Sequence, residues 1–206
     1  MTKTSQFNAV QPPAARSSTA LGLLRGAFCG NLTLQSCIDC GEIQYPPSDA
    51  CRICLCGEFS WKPVDGSGIL LAETLIRVSN EPYFSERLPW RIGMVRNIND
   101  VSLVCHLLPG CSVDQKVIVD IRIDESGRPV LVARPEIESR VHETDVPRPW
   151  GNEFNSSLVG KKILLDDINS PFAQELIQLA LTHGASSVAS AKHGRGTNDE
   201  IFIRMN

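Results

Sequence analysis

The sequence predicts a mainly β protein in three parts: a four-cysteine zinc ribbon, a small five-stranded barrel and a C-terminal α/β appendage. Three observations predict it. Two C-x2-C pairs stand ten residues apart in CIDCGEIQYPPSDACRIC, residues 37–54. Five runs rich in Val, Ile and Leu follow, with turn residues and no helical period between them. A strand–helix–strand pattern then occupies the last quarter of the chain.

The N-terminal residues 1–19 are rich in Ser, Thr, Ala, Gln and Pro without periodicity, and are expected to form a mobile arm. ALGLLRGAF (20–28) fits a short helix closed by Gly30 and Asn31. LTLQS (32–36) alternates and should run as a strand into the first cysteine pair. Helix and ribbon together span 20–61.

Two facing C-x2-C turns place four sulfurs tetrahedrally, the arrangement zinc prefers with thiolates. Cys37, Cys40, Cys51 and Cys54 are therefore the expected ligands of one Zn2+ per chain. Gly41 suits the left-handed step after the first turn, and Pro46 and Pro47 stiffen the connection. Cys56, in C-L-C-G, is an alternative to Cys54, although Cys54 matches the spacing of the first pair. With four protein ligands no coordination position is left for water or substrate, so the metal is structural and no catalytic residue is expected. The same four thiols could hold iron and carry electrons, as in rubredoxin, but the second pair lacks the Pro-x-Cys-Gly continuation.

The five strands of the barrel are GILLAETLIRV (68–78), RIGMVRNI (91–98), VSLVCHLL (101–108), KVIVDIRI (116–123) and PVLVARP (129–135). Asn99-Asp100, Pro109-Gly110 and Ser126-Gly127-Arg128 punctuate them. Five strands is the number in an OB-fold, here over residues 62–136. SNEPYFSERLPW (79–90) interrupts the first two strands with Tyr83, Phe84, Arg87 and Trp90, and Arg91 follows. Such an insertion is either a binding element or a cap on an open barrel end. Cys105 and His106 are adjacent on a strand, so they face opposite ways and cannot act as nucleophile and base.

Residues 137–206 read as a linker and a truncated Rossmann-like βαβ unit: KKILLDD (161–167), a helix in 169–185 opened by Ser170-Pro171 and ended by Gly184, SSVASA (186–191) and EIFIRM (200–205). Where a dinucleotide fold needs a glycine-rich turn there is D-D-I-N-S-P-F, and its two aspartates would repel phosphate, so neither NAD nor flavin is expected.

Charge narrows the partners. The net charge is −3. Segment 31–60 sets Arg52 against Asp39, Glu42, Asp49 and Glu58, and 62–136 balances nine basic with ten acidic residues. A nucleic-acid surface needs clustered cations, so single-stranded nucleic-acid binding is the lesser reading. No apolar run is long enough to span a membrane and no signal-peptide pattern opens the chain, so a cytoplasmic setting is expected.

The run G-N-L-T-L-Q-S-C-x2-C-G, then Y-P-P, the second C-x2-C, Trp61 and a Gly-x-Gly strand with four more resembles the zinc-ribbon plus OB-fold family associated with acyl-CoA enzymes. The resemblance covers about residues 20–136. It implies a non-catalytic accessory subunit that stabilises a hetero-oligomer, such as a heterotetramer, with a thiolase-fold catalytic subunit. It also implies that the subunit lines the acyl-CoA route for carbon–carbon cleavage or formation. Aromatic acyl-CoA degradation is one such setting, with benzoylsuccinyl-CoA thiolase as an example of such a complex. On this resemblance Arg77, Tyr83, Phe84, Arg87, Trp90 and Arg91 are candidates for contact with CoA or the partner subunit. Residues 137–206 lie beyond the family's usual extent.

Overall fold

A computed structural model describes residues 18–124, 127–136, 154–155, 158–191 and 199–203. Most of the expected N-terminal arm and of the linker after the barrel lies outside these residues.

A 3-10 turn, Ser18–Leu21, leads into helix α1, Gly22–Cys29. Gly30 closes the helix at φ 67° and returns its amide to Ala27. This is the left-handed C-cap that glycine adopts without a Cβ clash. Strand β1 (Thr33–Cys37) pairs antiparallel with β2 (Ile43–Gln44) on one side and β3 (Phe59–Pro63) on the other. The helix lies against this sheet, so closely that a Cβ on Gly22 would sit 1.9 Å from Trp61 Cε2.

The barrel comprises β4 (Ser67–Ile76), β5 (Trp90–Asn97), β6 (Ser102–Leu107), β7 (Lys116–Asp124) and β8 (Pro129–Pro135). Its strand order is β4-β5-β6-β8-β7, closed by pairing of β7 with β4. Only β6 and β8 run parallel. This is a closed five-stranded Greek-key barrel with OB topology. A short strand β9 (Phe154–Asn155) adds to the free side of β7.

Alternation sets which side chains fill the barrel. Along β6, Leu103, Cys105 and Leu107 point in and Ser102 and Val104 point out. Along β7 the barrel-filling set is Val117, Val119 and Ile121. β4 is buried only over its first half, and a bulge between Leu70 and Ala72 bends it around the barrel. The ribbon's Leu32 and Leu34 and helix residue Leu23 join this core, so ribbon and barrel are one hydrophobic unit. Burial of each such side chain contributes about 1.5–3 kcal/mol.

The insertion between β4 and β5 forms a short helix, α2 (Pro82–Ser85). Its rings are not displayed to solvent. Tyr83 and Trp90 pack with Val130 and Val132 in a small separate core, supported by Ile76, Phe84, Leu88, Ile92 and Leu108.

The C-terminal unit is a three-stranded parallel sheet, order β11-β10-β12, with β10 (Lys162–Leu165) between β11 (Ser187–Ser190) and β12 (Glu200–Ile203). Helix α3 (Pro171–Thr182) makes the crossover. Ser170 caps it by accepting from Ala173 N at 3.1 Å. Leu24 and Phe28 of α1, Ile123 of β7 and the inward residues of α3, β10 and β12 form one further core. An exposed ion pair, Arg25 with Glu175, bridges the two helices. No described helix is long and apolar enough to cross a membrane.

Candidate metal centre

Each cysteine pair is a tight hairpin with the same backbone wiring. In the first, Cys37 N donates to Glu42 O at 2.8 Å and Gly41 N to Cys37 O at 3.1 Å. In the second, Cys51 N donates to Cys56 O at 2.8 Å and Leu55 N to Cys51 O at 3.0 Å. The fourth residue after each leading cysteine is left-handed: Gly41 at φ 75° and Leu55 at φ 61°. Sequence reasoning anticipated the glycine. It missed Leu55, because leucine is rare in that conformation.

The hairpins bring Cys37, Cys40, Cys51 and Cys54 together, with all four sulfurs within 4.8 Å of one another. Cys37 Sγ lies 3.5 Å from Cys54 Sγ, and Cys40 Sγ 3.6 Å from Cys51 Sγ. A tetrahedron of zinc–sulfur bonds has edges of about 3.8 Å, so the four sulfurs are placed to hold a metal ion. Disulfide bonds would need sulfurs at about 2.05 Å. Cys56 stays outside: its sulfur accepts from Glu58 N at 3.2 Å, and its carbonyl closes the second hairpin. Among the described residues no other cluster of three or more Cys, His, Asp or Glu could hold a metal.

The amides prepare two of the sulfurs for metal. The Cys40 amide, helped by the Cys54 thiol and the Asp39 amide, draws Cys37 down to about 7 against desolvation. The amides of Cys54 and Ile53 lower Cys51, and Ile53 N stands 3.4 Å from its sulfur. For Cys40 the Glu42 amide pulls downward, but desolvation and the neighbouring thiols outweigh it and push the group up to about 12. A divalent ion would displace the remaining protons, since it binds thiolates and not thiols. Cys105 and Cys111 differ in kind. Burial raises both, Cys105 to about 12 with Cys111 adding to the rise, and Cys111 to about 11 although Arg91 opposes it, so they are inert core thiols.

A buried amide brace holds the second hairpin to the ribbon, and sequence reasoning did not find it. Gln35 and Gln44 face each other across β1 and β2, with Gln44 Nε2 donating to Gln35 Oε1 at 2.9 Å. Gln35 Nε2 donates to Ser48 O at 2.8 Å, and its Oε1 accepts from Ser48 N at 3.0 Å. Gln44 Oε1 accepts from Arg52 N at 3.1 Å. The chain either side of Cys51 is thereby tied to the sheet that carries Cys37.

The residues expected near CoA fall into two groups. Arg87 is only 8% exposed; its guanidinium lies 3.8 Å over the Tyr83 ring and donates to Tyr83 O at 3.0 Å. Phe84 meets Tyr83 and Trp90 edge to face, with centroids at 5.2 and 4.9 Å. These four residues form a packed knot. Arg91 pairs with Glu73 and donates to Cys111 O at 2.8 Å, leaving its side chain about a quarter exposed. Arg77, just past the end of β4, is exposed. Cys105 is buried and His106 is directed away from it toward Trp90, as adjacent strand residues must be.

No family model and no curated protein matched the sequence. Among solved structures, a chain of the complex described as Ltp2-ChsH2(DUF35) aldolase is similar, with a TM-score of 0.50 at 20% identity. The match covers 61% of this chain and all of that one. The two share a fold. At that identity the likeness concerns architecture alone, and the neighbour is itself part of a multi-protein aldolase.

Proposed function

We infer that this chain is a non-catalytic accessory subunit of a thiolase-superfamily complex acting on acyl-CoA thioesters. The observation that carries the reading is the joining of a four-thiol ribbon to an OB barrel through one core, an architecture shared with a chain of an aldolase complex. Zinc would tie the two hairpins together and fix the ribbon on the barrel. A site filled by four thiolates offers no open position, so the metal's contribution is folding energy. The reacting cysteine and histidines would belong to the partner. Carbon–carbon cleavage or formation is the reaction class, and aromatic acyl-CoA degradation is one setting for it.

Within that reading the end of β4 and start of β5 form the mouth offered to CoA. Arg77 and the open side of Arg91 would meet phosphate. Arg87, locked over Tyr83, would shape the mouth without touching the ligand. A charge-assisted phosphate contact contributes about 1.5–3 kcal/mol, so Arg77→Ala or Arg91→Ala should raise KM roughly ten- to a hundredfold with the complex intact.

The decisive experiment is co-expression with a candidate thiolase-fold acyl-CoA enzyme from the same genome. Co-elution on gel filtration, with thioester turnover only when both chains are present, is the expected result. Turnover by this chain alone, or two separate peaks, would overturn the assignment.

A further inference from the structure

Three large apolar side chains stand in solvent at the apex of the metal hairpins. Ile38, beside Cys37, is 58% exposed; Ile53 and Leu55, on either side of Cys54, are 65% and 78% exposed. Cys37 and Cys54 have sulfurs 3.5 Å apart, so all three residues flank the same metal site.

Leu55 is the telling member. The two hairpins are wired alike, and the first uses Gly41 at the left-handed position. Leucine at φ 61° is disfavoured by its Cβ, and among the described residues its exposed side chain joins no hydrophobic core. A side chain held against its backbone preference and left in water has its use elsewhere.

The charge around the apex indicates what covers it. Asp39 lies between Ile38 and Cys40, and Glu58 O accepts from Ile38 N at 3.1 Å. Arg52, the one cation of residues 31–60, is committed to Glu42, its Nε 2.9 Å from Oε1. Four thiolates around a divalent ion would add to this negative field. An anionic rim around an apolar centre repels nucleic acid and acidic lipid. It complements a protein recess that is apolar inside and edged by lysine and arginine.

We propose that Ile38, Ile53 and Leu55 form a docking surface for a protein partner presenting an apolar recess with a basic rim. Resting on the function inferred above, that partner is the catalytic subunit of the complex. The apex supplies the desolvated contact, and Asp39 and Glu58 steer the approach.

The test is calorimetric and kinetic binding of the full, metal-loaded chain to that catalytic subunit. Ile53→Asp and Leu55→Gly should each weaken the complex about tenfold or more. Leu55→Gly relieves the left-handed strain, so it should fold at least as stably as the parent while binding worse; misfolding cannot produce that combination. Asp39→Lys with Glu58→Lys should slow association and flatten its dependence on salt. Val159→Asp, on an exposed site of the C-terminal unit, should change nothing. A complex that forms with parental affinity in every variant refutes the docking surface and leaves the accessory function standing. Failure of the parent chain itself to bind the catalytic subunit refutes both.

Discussion

Trp90 donates its indole N–H to Nδ1 of His106 across 2.7 Å, with the rings meeting at 72°. An imidazole nitrogen that accepts from an indole carries no proton, so any hydrogen on a neutral His106 sits on Nε2. The bond fastens the Tyr83–Phe84–Trp90 knot to strand β6 of the barrel wall, on the face opposite Cys105.

Acid should therefore loosen this knot. Protonation of Nδ1 turns the acceptor into a donor facing another donor. Acid strong enough to protonate Nδ1 removes the contact's contribution. Tryptophan fluorescence should shift over that acid titration. His106→Asn, whose carbonyl accepts at any of these pH values, should abolish the shift; an unchanged shift in that variant would refute the assignment.

Metal removal should unfold the ribbon. Purified chain is expected to bind about one zinc and to be colourless, with thiolate-rich sites contributing on the order of 10 kcal/mol to folding. Cys37→Ser should lose the metal and most of the thermal stability, whereas Cys56→Ser should retain both, because Cys56 contributes its carbonyl to the hairpin. Stoichiometric iron with visible absorption would point to electron transfer instead.

Gln44→Leu should weaken metal binding although Gln44 touches no metal ligand's sulfur. The substitution leaves Arg52 N and Ala50 O without their side-chain partners and removes a donor from Gln35. The expected cost is about 2–4 kcal/mol, and competition with a chelator should show roughly tenfold weaker zinc. Parental zinc affinity would show that the brace is dispensable.

Gly22→Ala separates helix propensity from packing. Propensity alone favours alanine by about 1 kcal/mol. The new methyl, however, would stand 1.9 to 2.3 Å from three indole atoms of Trp61, a partly buried ring packed against the barrel's core. Thermal unfolding should show a loss, not a gain; a gain would mean that helix α1 can lift off the ribbon without cost.

Much of this architecture was legible because its signals are local. The paired cysteines declare their hairpins by spacing, and strands such as β6 declare their inward face by alternation. The Ser170 cap and the final left-handed Gly184 bound α3 as the sequence suggests. What stayed hidden depends on partners distant in the chain. β2 has two residues and no pattern of its own. Gln35 and Gln44 look like surface amides until sheet register sets them face to face. Tyr83 and Trp90 sit in an insertion that reads equally as a binding element or a barrel cap, and their packing depends on Val130 and Val132, distant in the chain. Helix α1 gives Leu23 to one core and Leu24 and Phe28 to another, a division that its ordinary apolar spacing does not reveal.

That double burial has a consequence for how the chain is made. Leu23 belongs to the barrel's core, while Leu24 and Phe28 belong to the core completed by α3, β10 and β12. During synthesis α1 emerges before the barrel, yet part of its apolar surface is covered only by the helix and sheet that follow the barrel in the chain. Until then Leu24 and Phe28 face water or a chaperone, and docking of the final sheet closes long-range contacts whose loop entropy makes such steps slow. The C-terminal unit thus works as a latch: a chain interrupted after the barrel would keep its metal hairpins yet carry an open, sticky helix face.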